Sequence, residues 1–582
     1  MAPTGLGLVL LWCGSAQAFE TRNVLVIVAD DLGVDKVEAY CDDRTTDGAC
    51  DHAADPTRYA MVPPTPRLNA LAAQGIRFDN AYAEPLCTPS RASLLTGLTV
   101  PEHGLGAVVD PDDMEEPDLG LDPSIPTLPE VLPAGMVKGL VGKWHLSAYH
   151  DFGLPGAADL VDGDRDGVTD LCANEGYAAA DCEAFDARPA AYGFDFYDGR
   201  LRGDFTYDVW ARSVMDGAAR SVVWMDTARG NEDYVDTVAA QSALDFVQRT
   251  TEPWLLVVAF QSPHWPWHHP PAPDALPGVF ADPTTTAYSS TPGRYATTCG
   301  GNRVQRAAGE MVQSLDHHVG VLLDAIDLST TTVVFVSDNG SPAAVLDPAY
   351  SGSGPLNSKG HVYEGGVRVP LIVAGPDVDP ARAGSADASL VHIRDLFATV
   401  LDLTDTATTP PASSVSFAGR LAATPTGGRD HVYSSRHTSA GHANNSGAPY
   451  DRCAFQVRND HAKLLADDLG LQLFRTSGDF ELYDSAVSNT NPMGDICWAT
   501  THAPPYLPGQ GSSLAPQAQS QYRALRDLVL TEYPDTCWLE EHEMNCCDGD
   551  DNDNDGLLDG DDPDCACDPD NVTSAACTTP PQ

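Results

Sequence analysis

A short segment of the chain combines a cysteine and an arginine in an arrangement that could activate a thiol. Residues 86–97 read LCTPSRASLLTG. Cys87 falls at the predicted start of a helix and Arg91 follows one turn later, so the helix dipole and the guanidinium would both lower the pKa of the thiol. The same residues also fit a helix start capped by Thr88 or Ser90, with Cys87 half-buried or disulfide-bonded. The segment by itself leaves a reactive thiolate and a structural cysteine open.

Two further pairs of polar residues could bind a cation. Asp30 and Asp31 are adjacent, and Asp338 and Asn339 form a similar pair far along the chain. Together they supply only oxygen ligands, which suit a hard cation such as Ca²⁺, with Mg²⁺ as the alternative. Adjacent acids after a strand are also compatible with a solvated turn. Because two such pairs occur, the sequence favours a cation site.

The elements that precede these polar residues indicate how they could meet. Four short apolar runs without polar alternation read as strands buried on both faces of a sheet. They comprise residues 24–29, 139–142, 255–260 and 332–337. Helical patterns lie between them, at residues 65–73, 90–96, 235–249 and 304–326. This alternation predicts a doubly wound or related α/β layer fold, in which polar residues at the carboxyl ends of strands converge on one site.

The chain is strongly acidic and contains very few lysines. Its 582 residues include 33 Lys+Arg and 83 Asp+Glu, giving a formal charge of −50, and 42% of them are hydrophobic. This composition supports a large core and excludes a wholly disordered chain, while the negative charge argues against nucleic acid as a partner. The lysines are Lys36, Lys138, Lys143, Lys359 and Lys463. A lysine inside a polar motif is therefore a candidate functional residue.

The order of several motifs along the chain resembles that of the sulfatase family. The segment CTPSRASLLTG matches the family signature, whose cysteine is oxidised to formylglycine by a formylglycine-generating enzyme. The other matching motifs comprise residues 30–31, 102–104, 142–145, 262–264, 337–340, 359–360, 364–370 and 481–484. The resemblance implies an alkaline phosphatase-like α/β fold with a central mixed, mostly parallel sheet between helices.

The resemblance also assigns the cation site and the nucleophile. It implies that Asp30, Asp31, Asp338 and Asn339 hold Ca²⁺, or Mg²⁺, and that the formylglycine at Cys87 contacts the same ion. The ion would also contact a sulfate oxygen and neutralise its charge. A thiol or a serine could not release sulfate by elimination, whereas a hydrated aldehyde can, because it carries two hydroxyl groups on one carbon.

The remaining matched residues would bind the sulfate group and transfer protons. Arg91, Lys143 and Lys359 would stabilise the negative charge on the sulfate oxygens. By resemblance, the hydrated formylglycine attacks sulfur, His264 assisted by Lys359 protonates the departing alcohol, and a covalent sulfo-enzyme results. His145 would then accept the proton of the second hydroxyl, so that sulfate leaves. The implied activity is hydrolysis of an aryl or carbohydrate sulfate monoester.

Two other functions remain open. A phosphonate monoester hydrolase or a phosphodiesterase would use the same scaffold and sometimes the same formylglycine. A non-catalytic calcium-binding surface protein would result if Cys87 stayed a thiol. Turnover of aryl sulfates and aryl phosphates side by side would separate the two enzymes.

A second type of cation motif occurs twice outside the matched segments. Both copies follow the pattern D-x-D-x-D-G-x-x-D, the front half of an EF-hand loop without its bidentate Glu at position 12. The acids are Asp162, Asp164, Asp166 and Asp170 in the first copy, and Asp551, Asp553, Asp555 and Asp559 in the second. They predict structural calcium sites, with a solvated acidic loop as the alternative.

The chain is predicted to be exported and to contain several parts. Residues 1–18 read as a signal peptide that lacks a basic start, and no stretch approaches the ~18 apolar residues of a membrane span. The 15 cysteines, an even 14 without Cys13, favour disulfides in an extracellular or periplasmic compartment, with retention at the cell surface also open. The predicted parts are a catalytic domain at 19–425 with an insertion at about 150–200, an α+β subdomain at 426–536 and an acidic Cys-rich tail at 537–582.

Overall fold

The computed structural model describes the chain from residue 22 to residue 533, with gaps. The described residues are 22–43, 62–109, 120–146, 188–200, 207, 209–217, 219–226, 234–270, 302–346, 357–437, 454–460, 462–467, 470–475, 492–495, 524–525, 528–529 and 531–533. Within these ranges, no helix combines the length and the apolar character needed to cross a bilayer. The predicted signal peptide, both acidic loops and the tail lie outside the described residues, so they stay predictions.

Ten of the described strands form one large sheet. They are β1 (Asn23–Ala29), β2 (Ile76–Tyr82), β3 (Val137–Lys143), β4 (Phe196–Arg200), β5 (Val209–Asp216), β6 (Ala219–Asp226), β7 (Trp254–Ala259), β8 (Thr331–Ser337), β9 (Leu371–Ala374) and β10 (Ser385–His392). Their order is β10-β2-β9-β8-β1-β7-β3-β4-β5-β6. The block β8-β1-β7-β3-β4 is parallel, and β9, β5 and β6 run antiparallel to their neighbours. The sheet is therefore mixed and mostly parallel, as predicted.

The central strands contain the apolar runs of the sequence. β1 reads NVLVIVA, β7 reads WLLVVA and β8 reads TTVVFVS, and nearly all of their residues are buried. Because both faces of these strands are covered, no polar alternation is needed, which explains the continuous apolar pattern. The β-branched residues in them also favour an extended backbone.

Helices cover both faces of the sheet. They are α1 (Pro66–Gln74), α2 (Cys87–Thr96), α3 (Val100–His103), α4 (Leu128–Val131), α5 (Arg188–Ala191), α6 (Val235–Arg249), α7 (Asn302–Ala325), α8 (Glu364–Val367) and α9 (Asp395–Leu403). Val26 of β1 lies in a core with Leu95 of α2. The next residue, Ile27, lies in a second core with Ala243 of α6 and Leu315 of α7. Alternate residues of one strand thus bury against two helical layers, the arrangement that the sequence predicts.

A second, antiparallel sheet follows the first one in sequence. Its strands are β11 (His431–Arg436), β12 (Ala454–Asn459), β13 (Ala462–Asp467), β14 (Gly470–Arg475) and β15 (Pro492–Asp495), paired in that order. The single strand expected at 453–466 is a hairpin of β12 and β13, whose turn follows the turn-favouring Asn459. Of the helix expected at 515–533, the described residues between 524 and 532 are helical. The strand expected at 480–483 lies outside the described residues.

Close packing of β3 against β7 depends on a glycine. Gly142 has a φ of 93°, and a Cβ on it would lie 2.0 Å from the backbone oxygen of Ala259. The φ lies in the left-handed region, and the clash is with backbone that cannot rotate away. Gly142 directly precedes Lys143, so this contact also sets where the strand delivers the lysine.

We predict that Gly142→Ala destabilises the protein by about 3 kcal/mol or more, because it adds both backbone strain and overpacking. The measurement is the melting temperature of the purified variant. Gly135→Ala is the matched control, since nothing lies within 4 Å of a Cβ placed there, and it should change stability by less than about 0.5 kcal/mol. Equal melting temperatures for the two variants would contradict this account of the β3–β7 contact.

Candidate active site

The carboxyl ends of parallel strands bring the predicted site residues together. Asp30 and Asp31 follow β1, Lys143 is the last residue of β3, and Asp338 follows β8. Backbone hydrogen bonds extend the sheet beyond the strands, since Asp338 N donates to Ala29 O at 3.1 Å. The expected convergence at one edge of the sheet is therefore present.

Hydrogen bonds join Asp31, Asp338 and Asn339. The backbone N of Asp31 donates to Oδ1 of Asp338 at 3.2 Å, and Nδ2 of Asn339 donates to Oδ1 of Asp31 at 2.8 Å. Asp31 has a left-handed backbone with a φ of 68°, which non-glycine residues rarely adopt and which often occurs at functional sites. These bonds hold its carboxylate against the end of β8.

The same residues fit a hard cation. Oδ1 of Asp30 and Oδ1 of Asn339 are buried and accept no hydrogen bond from the described part of the chain. Potential ligand atoms of Asp30, Asp338 and Cys87 lie within 4.8 Å of one another. Buried oxygen atoms of this kind are costly unless something coordinates them. The donor set therefore suits a divalent cation such as Ca²⁺ or Mg²⁺.

Arg91 connects the cysteine-bearing helix to two strand ends. Its Nε and Nη2 donate to Oδ2 of Asp338 at 3.1 and 2.8 Å, and its Nη1 donates to the backbone oxygen of Lys143 at 3.0 Å. Arg91 lies one turn after Cys87 on α2, so these bonds fix the start of α2 against β8 and β3. The placement of Arg91 one turn after Cys87 thus serves to anchor α2 and also puts a positive charge near the thiol.

Two of the five lysines pair with the adjacent acids. Nζ of Lys143 lies 2.5 Å from Oδ2 of Asp30, and both side chains are fully buried. Nζ of Lys359 lies 2.7 Å from Oδ1 of Asp31. Each acid of the pair therefore has its own lysine, and the functional role expected for these lysines stays a prediction.

The clustered charges shift the pKa values of the acids in opposite directions. Burial alone would raise the pKa of Asp30, but the neighbouring cations, Lys143 first, hold it well below its usual range. Burial raises the pKa of Asp338 to about 7, and the negative charge of Asp30 adds to the rise. A cation bound between the two acids would favour the ionised form of both.

Cys87 is the first residue of α2 and carries a free, buried thiol. Burial raises the pKa of this thiol, against the opposing effect of Lys143 and Lys359. The net shift is therefore opposite to the lowering that a helix start and Arg91 would produce, and desolvation of the thiolate is its largest cause. A thiol that stays protonated at neutral pH is a poor nucleophile.

His145 is held in one tautomer at the end of β3. Its Nε2 lies 3.2 Å from the backbone oxygen of Val109, which can only accept, so Nε2 carries the proton. Nδ1 is buried and has no hydrogen-bond partner among the described residues. Burial, with Lys143 next, lowers the pKa of His145 well below its usual value. The ring is therefore neutral and presents a bare nitrogen.

His264 lies on the loop after β7 and faces the acid pair. Its Nδ1 donates to the backbone oxygen of Trp265 at 2.5 Å, which leaves Nε2 as the atom that can exchange a proton. Nε2 lies 3.8 Å from Oδ2 of Asp31. Burial, with Lys359 next, lowers the pKa of His264 to about 4.

A buried acid that the sequence does not reveal supports this loop. Asp236, in the first turn of α6, accepts the backbone N–H groups of Gln261 and Ser262 at 2.8 and 3.2 Å. Tyr207 donates its hydroxyl to the backbone oxygens of Gln261 and His264 at 2.7 and 2.8 Å. Asp236 looks like an ordinary helix-start acid in the sequence, so no signal could have singled it out.

A profile of the sulfatase family matches residues 22–406. The matched region contains every residue of the site described above. The chain belongs to the sulfatase family. The family resemblance that the motifs carry is therefore confirmed.

Known sulfatases are similar over about two thirds of the chain. N-acetylgalactosamine-6-sulfatase of Canis lupus familiaris is 30% identical over 422 residues, covering 69% of this chain and 65% of the relative. Steryl-sulfatase of Mus musculus is 28% identical over 432 residues, covering 66% of this chain and 61% of the relative. The chain thus spans less than two thirds of the length of these sulfatases.

Solved structures share the fold at low sequence identity. A protein from Bacteroides fragilis has a TM-score of 0.56 and 17% identity, and the match covers 90% of this chain and 99% of that protein. A protein solved with its substrate D-glucosamine-2-N,6-O-disulfate has a TM-score of 0.52 and 18% identity, covering 78% and 91%. These similarities confirm the alkaline phosphatase-like fold of the sulfatases.

Glu84 is a second buried acid that sequence reasoning missed in this sulfatase-family chain. Its backbone N donates to Oγ of Ser90 at 3.0 Å, and the same hydroxyl donates back to Glu84 O at 3.1 Å, which closes the turn that contains Cys87. Oε2 of Glu84 accepts the backbone N–H of Ser435, on β11, at 2.7 Å. Glu84 therefore connects the start of α2 to the second sheet.

Glu84 makes folding stability depend on pH. Burial raises its pKa from 4.5 to about 7, against the opposing effect of Arg394. The folded chain therefore holds this proton more tightly than the unfolded chain, and the resulting stability is fully present below pH 4.5 and lost as the pH rises to about 7.

We predict that Glu84→Gln, which resembles the protonated acid, removes this dependence. Between pH 5 and pH 8 the unmodified protein should lose about 2 kcal/mol more stability than the variant. Thermal unfolding of both proteins at the two pH values measures the difference. Parallel losses in the two proteins would rule out Glu84 as the titrating group.

Proposed function

We propose that the chain hydrolyses a sulfate monoester, with a formylglycine formed from Cys87 as its nucleophile. The proposal rests on the composition of the group of charged and polar side chains around Cys87. Three carboxylates, three cationic side chains and two neutral imidazoles meet beside Cys87 at one edge of the sheet. A sequence-distant set of this composition is suited to bind an anion and transfer protons to and from it.

The charge balance supports an anionic substrate. With a cation bound, which favours the ionised form of Asp338, Asp30, Asp31 and Asp338 contribute three negative charges, and Arg91, Lys143 and Lys359 contribute three positive ones. The six groups therefore sum to zero, and one divalent cation gives the site a charge of +2. A buried site with this charge attracts a sulfate ester and stabilises the charge that develops on its oxygens.

The residues that would hold the cation are Asp30, Asp31, Asp338 and Asn339. Two of their oxygen atoms, Oδ1 of Asp30 and of Asn339, have no partner among the described residues. When bound, the ion, which we propose to be calcium, supplies charge neutralisation at the sulfate oxygens. The side chains themselves hold its ligands in place through the bonds from Asn339 to Asp31 and from Asp31 to Asp338.

Conversion of Cys87 is needed because the unmodified side chain is unsuited to the reaction. The thiol is buried and its pKa is raised, so little thiolate is available at neutral pH. Formylglycine, made from Cys87 by a formylglycine-generating enzyme, supplies hydroxyl groups in its hydrated form. The position of this residue at the start of α2, beside Lys143 and Lys359, suits a nucleophile that must approach an anion.

The two histidines are suited to opposite proton transfers. Nε2 of His264 faces the acid pair, and an anion bound beside it would raise its low pKa and let it donate a proton to the departing alcohol. Nδ1 of His145 is a bare acceptor because Nε2 is bonded to Val109, so His145 suits the role of base. Lys359, next to Asp31, is placed to assist His264.

The names of similar proteins support a sulfated sugar as the substrate class. One relative is named N-acetylgalactosamine-6-sulfatase, and one structural neighbour is described as bound to D-glucosamine-2-N,6-O-disulfate. We propose a carbohydrate sulfate, with aryl sulfates as convenient test substrates. Export to an extracellular or periplasmic compartment is part of the proposal, supported by residues 1–18 and by the 15 cysteines.

We predict that protein from cells with a formylglycine-generating enzyme carries formylglycine at residue 87 and cleaves aryl sulfates with a higher kcat/KM than aryl phosphates. Peptide mass spectrometry across residues 83–91 measures the conversion, and chromogenic esters measure the turnover. Cys87→Ala is the control and should be inactive.

A preference for aryl phosphates or phosphonates would instead assign the phosphodiesterase or phosphonate monoester hydrolase function. An unmodified Cys87 in protein from the native host, together with no turnover, would point to a non-catalytic calcium-binding protein.

We predict that Lys143→Ala lowers kcat by at least about 100-fold, because it removes a buried positive charge next to the anion. Lys138→Ala is the matched control on the same strand, where the lysine pairs with half-exposed Asp195 at 3.2 Å. It should retain activity within about twofold. Circular dichroism of both variants checks the fold, and full activity in Lys143→Ala would contradict the role assigned to this lysine.

A further inference from the structure

The fifth lysine of the chain lies in the second sheet and is buried. Lys463, on β13, is 1% exposed, and its Nζ donates to Oε1 of Glu364 at 3.1 Å. Arg458 on β12 approaches the same carboxylate at 3.4 Å, and Tyr82 at the end of β2 donates its hydroxyl to Oε2 at 3.1 Å. Two strands of the second sheet thus bind Glu364, a buried acid that lies outside that sheet.

Glu364 begins α8, a short turn whose backbone packs against the cation-binding loop. The backbone oxygen of Gly366 accepts the N–H of Gly340 at 2.9 Å. A Cβ on Gly340 would lie only 1.9 Å from the backbone oxygen of Gly365, so the two segments are in direct backbone contact. Gly340 directly follows Asn339, and any movement of α8 is therefore passed to the amide that binds Asp31.

The same turn supports the segment that carries Lys359. The backbone N–H of Gly365 donates to Oδ1 of Asn357 at 2.6 Å. The backbone N of Lys359, two residues later, donates to Ser341 O at 2.9 Å. One short turn therefore contacts both the loop that ends β8 and the loop that delivers the lysine beside Asp31.

We propose that Glu364 is a positioning residue, and that Lys463 and Arg458 of the second sheet set the geometry of Asn339 and Lys359 through it. The proposal rests on the proposed cation site. It assigns the second sheet a part in building the site, although none of its described residues reaches the acids that bind the cation. A buried ion pair is weak evidence for added stability, so the role of this cluster is to fix where α8 lies.

Calcium binding tests the proposal without any need for turnover. The probe is Ca²⁺ alone, titrated by calorimetry into chelator-treated full-length protein. Because other acidic segments can also bind Ca²⁺, the binding event that disappears in Asn339→Ala is assigned to the site. We expect Lys463→Met and Glu364→Gln each to raise the Kd of that event at least tenfold. The double variant should be impaired by less than the product of the two single effects, because both charges are then removed together.

A matched control separates positioning from general destabilisation. Asp387→Asn removes a buried acid held by Arg382 and Arg420 at 2.9 and 3.0 Å, outside the site, and it should lower the melting temperature without changing the Kd. Lys463→Arg keeps the positive charge and should bind Ca²⁺ within about threefold of the unmodified protein. If Lys463→Met fails to fold, the Kd of Glu364→Gln decides the test.

An unchanged Kd in Lys463→Met and Glu364→Gln would overturn the proposal, whether or not their melting temperatures fall. An equal rise of the Kd in Asp387→Asn would overturn it as well. If the Kd values change as expected but the unmodified protein turns over no sulfate ester, the proposed function fails and the positioning role stands.

Discussion

The site depends on compensation of buried negative charge. Asp30, Asp31 and Asp338 are at most 1% exposed and lie close together at one edge of the sheet. Carboxylates in this position repel one another and lose their hydration, which costs several kcal/mol unless fixed positive charges offset it. Lys143 and Arg91 supply part of that compensation from β3 and α2, and the remaining unpartnered oxygens suit a divalent cation. The same lysine and arginine are among the groups that would bind the proposed anionic substrate.

Backbone geometry decides whether these charges can meet. The strands β1, β3, β7 and β8 are parallel neighbours, so their carboxyl ends deliver residues to the same edge. Gly142 allows β3 to approach β7 closely, and Gly340 allows its loop to contact α8. Left-handed conformations at Asp31 and His145 turn the chain sharply after β1 and β3. Such strained residues persist because the surrounding hydrogen bonds hold them in place.

Two buried acids connect the segments around the site to the second sheet. Glu84 receives the backbone N–H of Ser435 and lies on the turn before Cys87. Glu364 accepts a hydrogen bond from Nζ of Lys463 and lies on the turn that contacts the loop of Asn339. The second sheet therefore contacts the segments on both sides of the site, the one that carries Cys87 and the one that carries Asn339. The second sheet is thus joined to the large sheet by buried charged groups and not only by apolar packing.

The sequence by itself determined the α/β layers, the family and the residues that meet at the site, because continuous apolar runs and ordered motifs are local properties of the chain. It also singled out Lys143 and Lys359 through the scarcity of lysine. Only the tertiary structure decided the environment of Cys87, since its burial depends on distant segments and is the largest cause of the raised pKa of its thiol. The same holds for Asp236, Glu84 and Glu364, whose roles come from partners far away in sequence. Local pattern shows which residue types are present, whereas desolvation and long-range contacts, which exist only in the folded chain, set what those residues do.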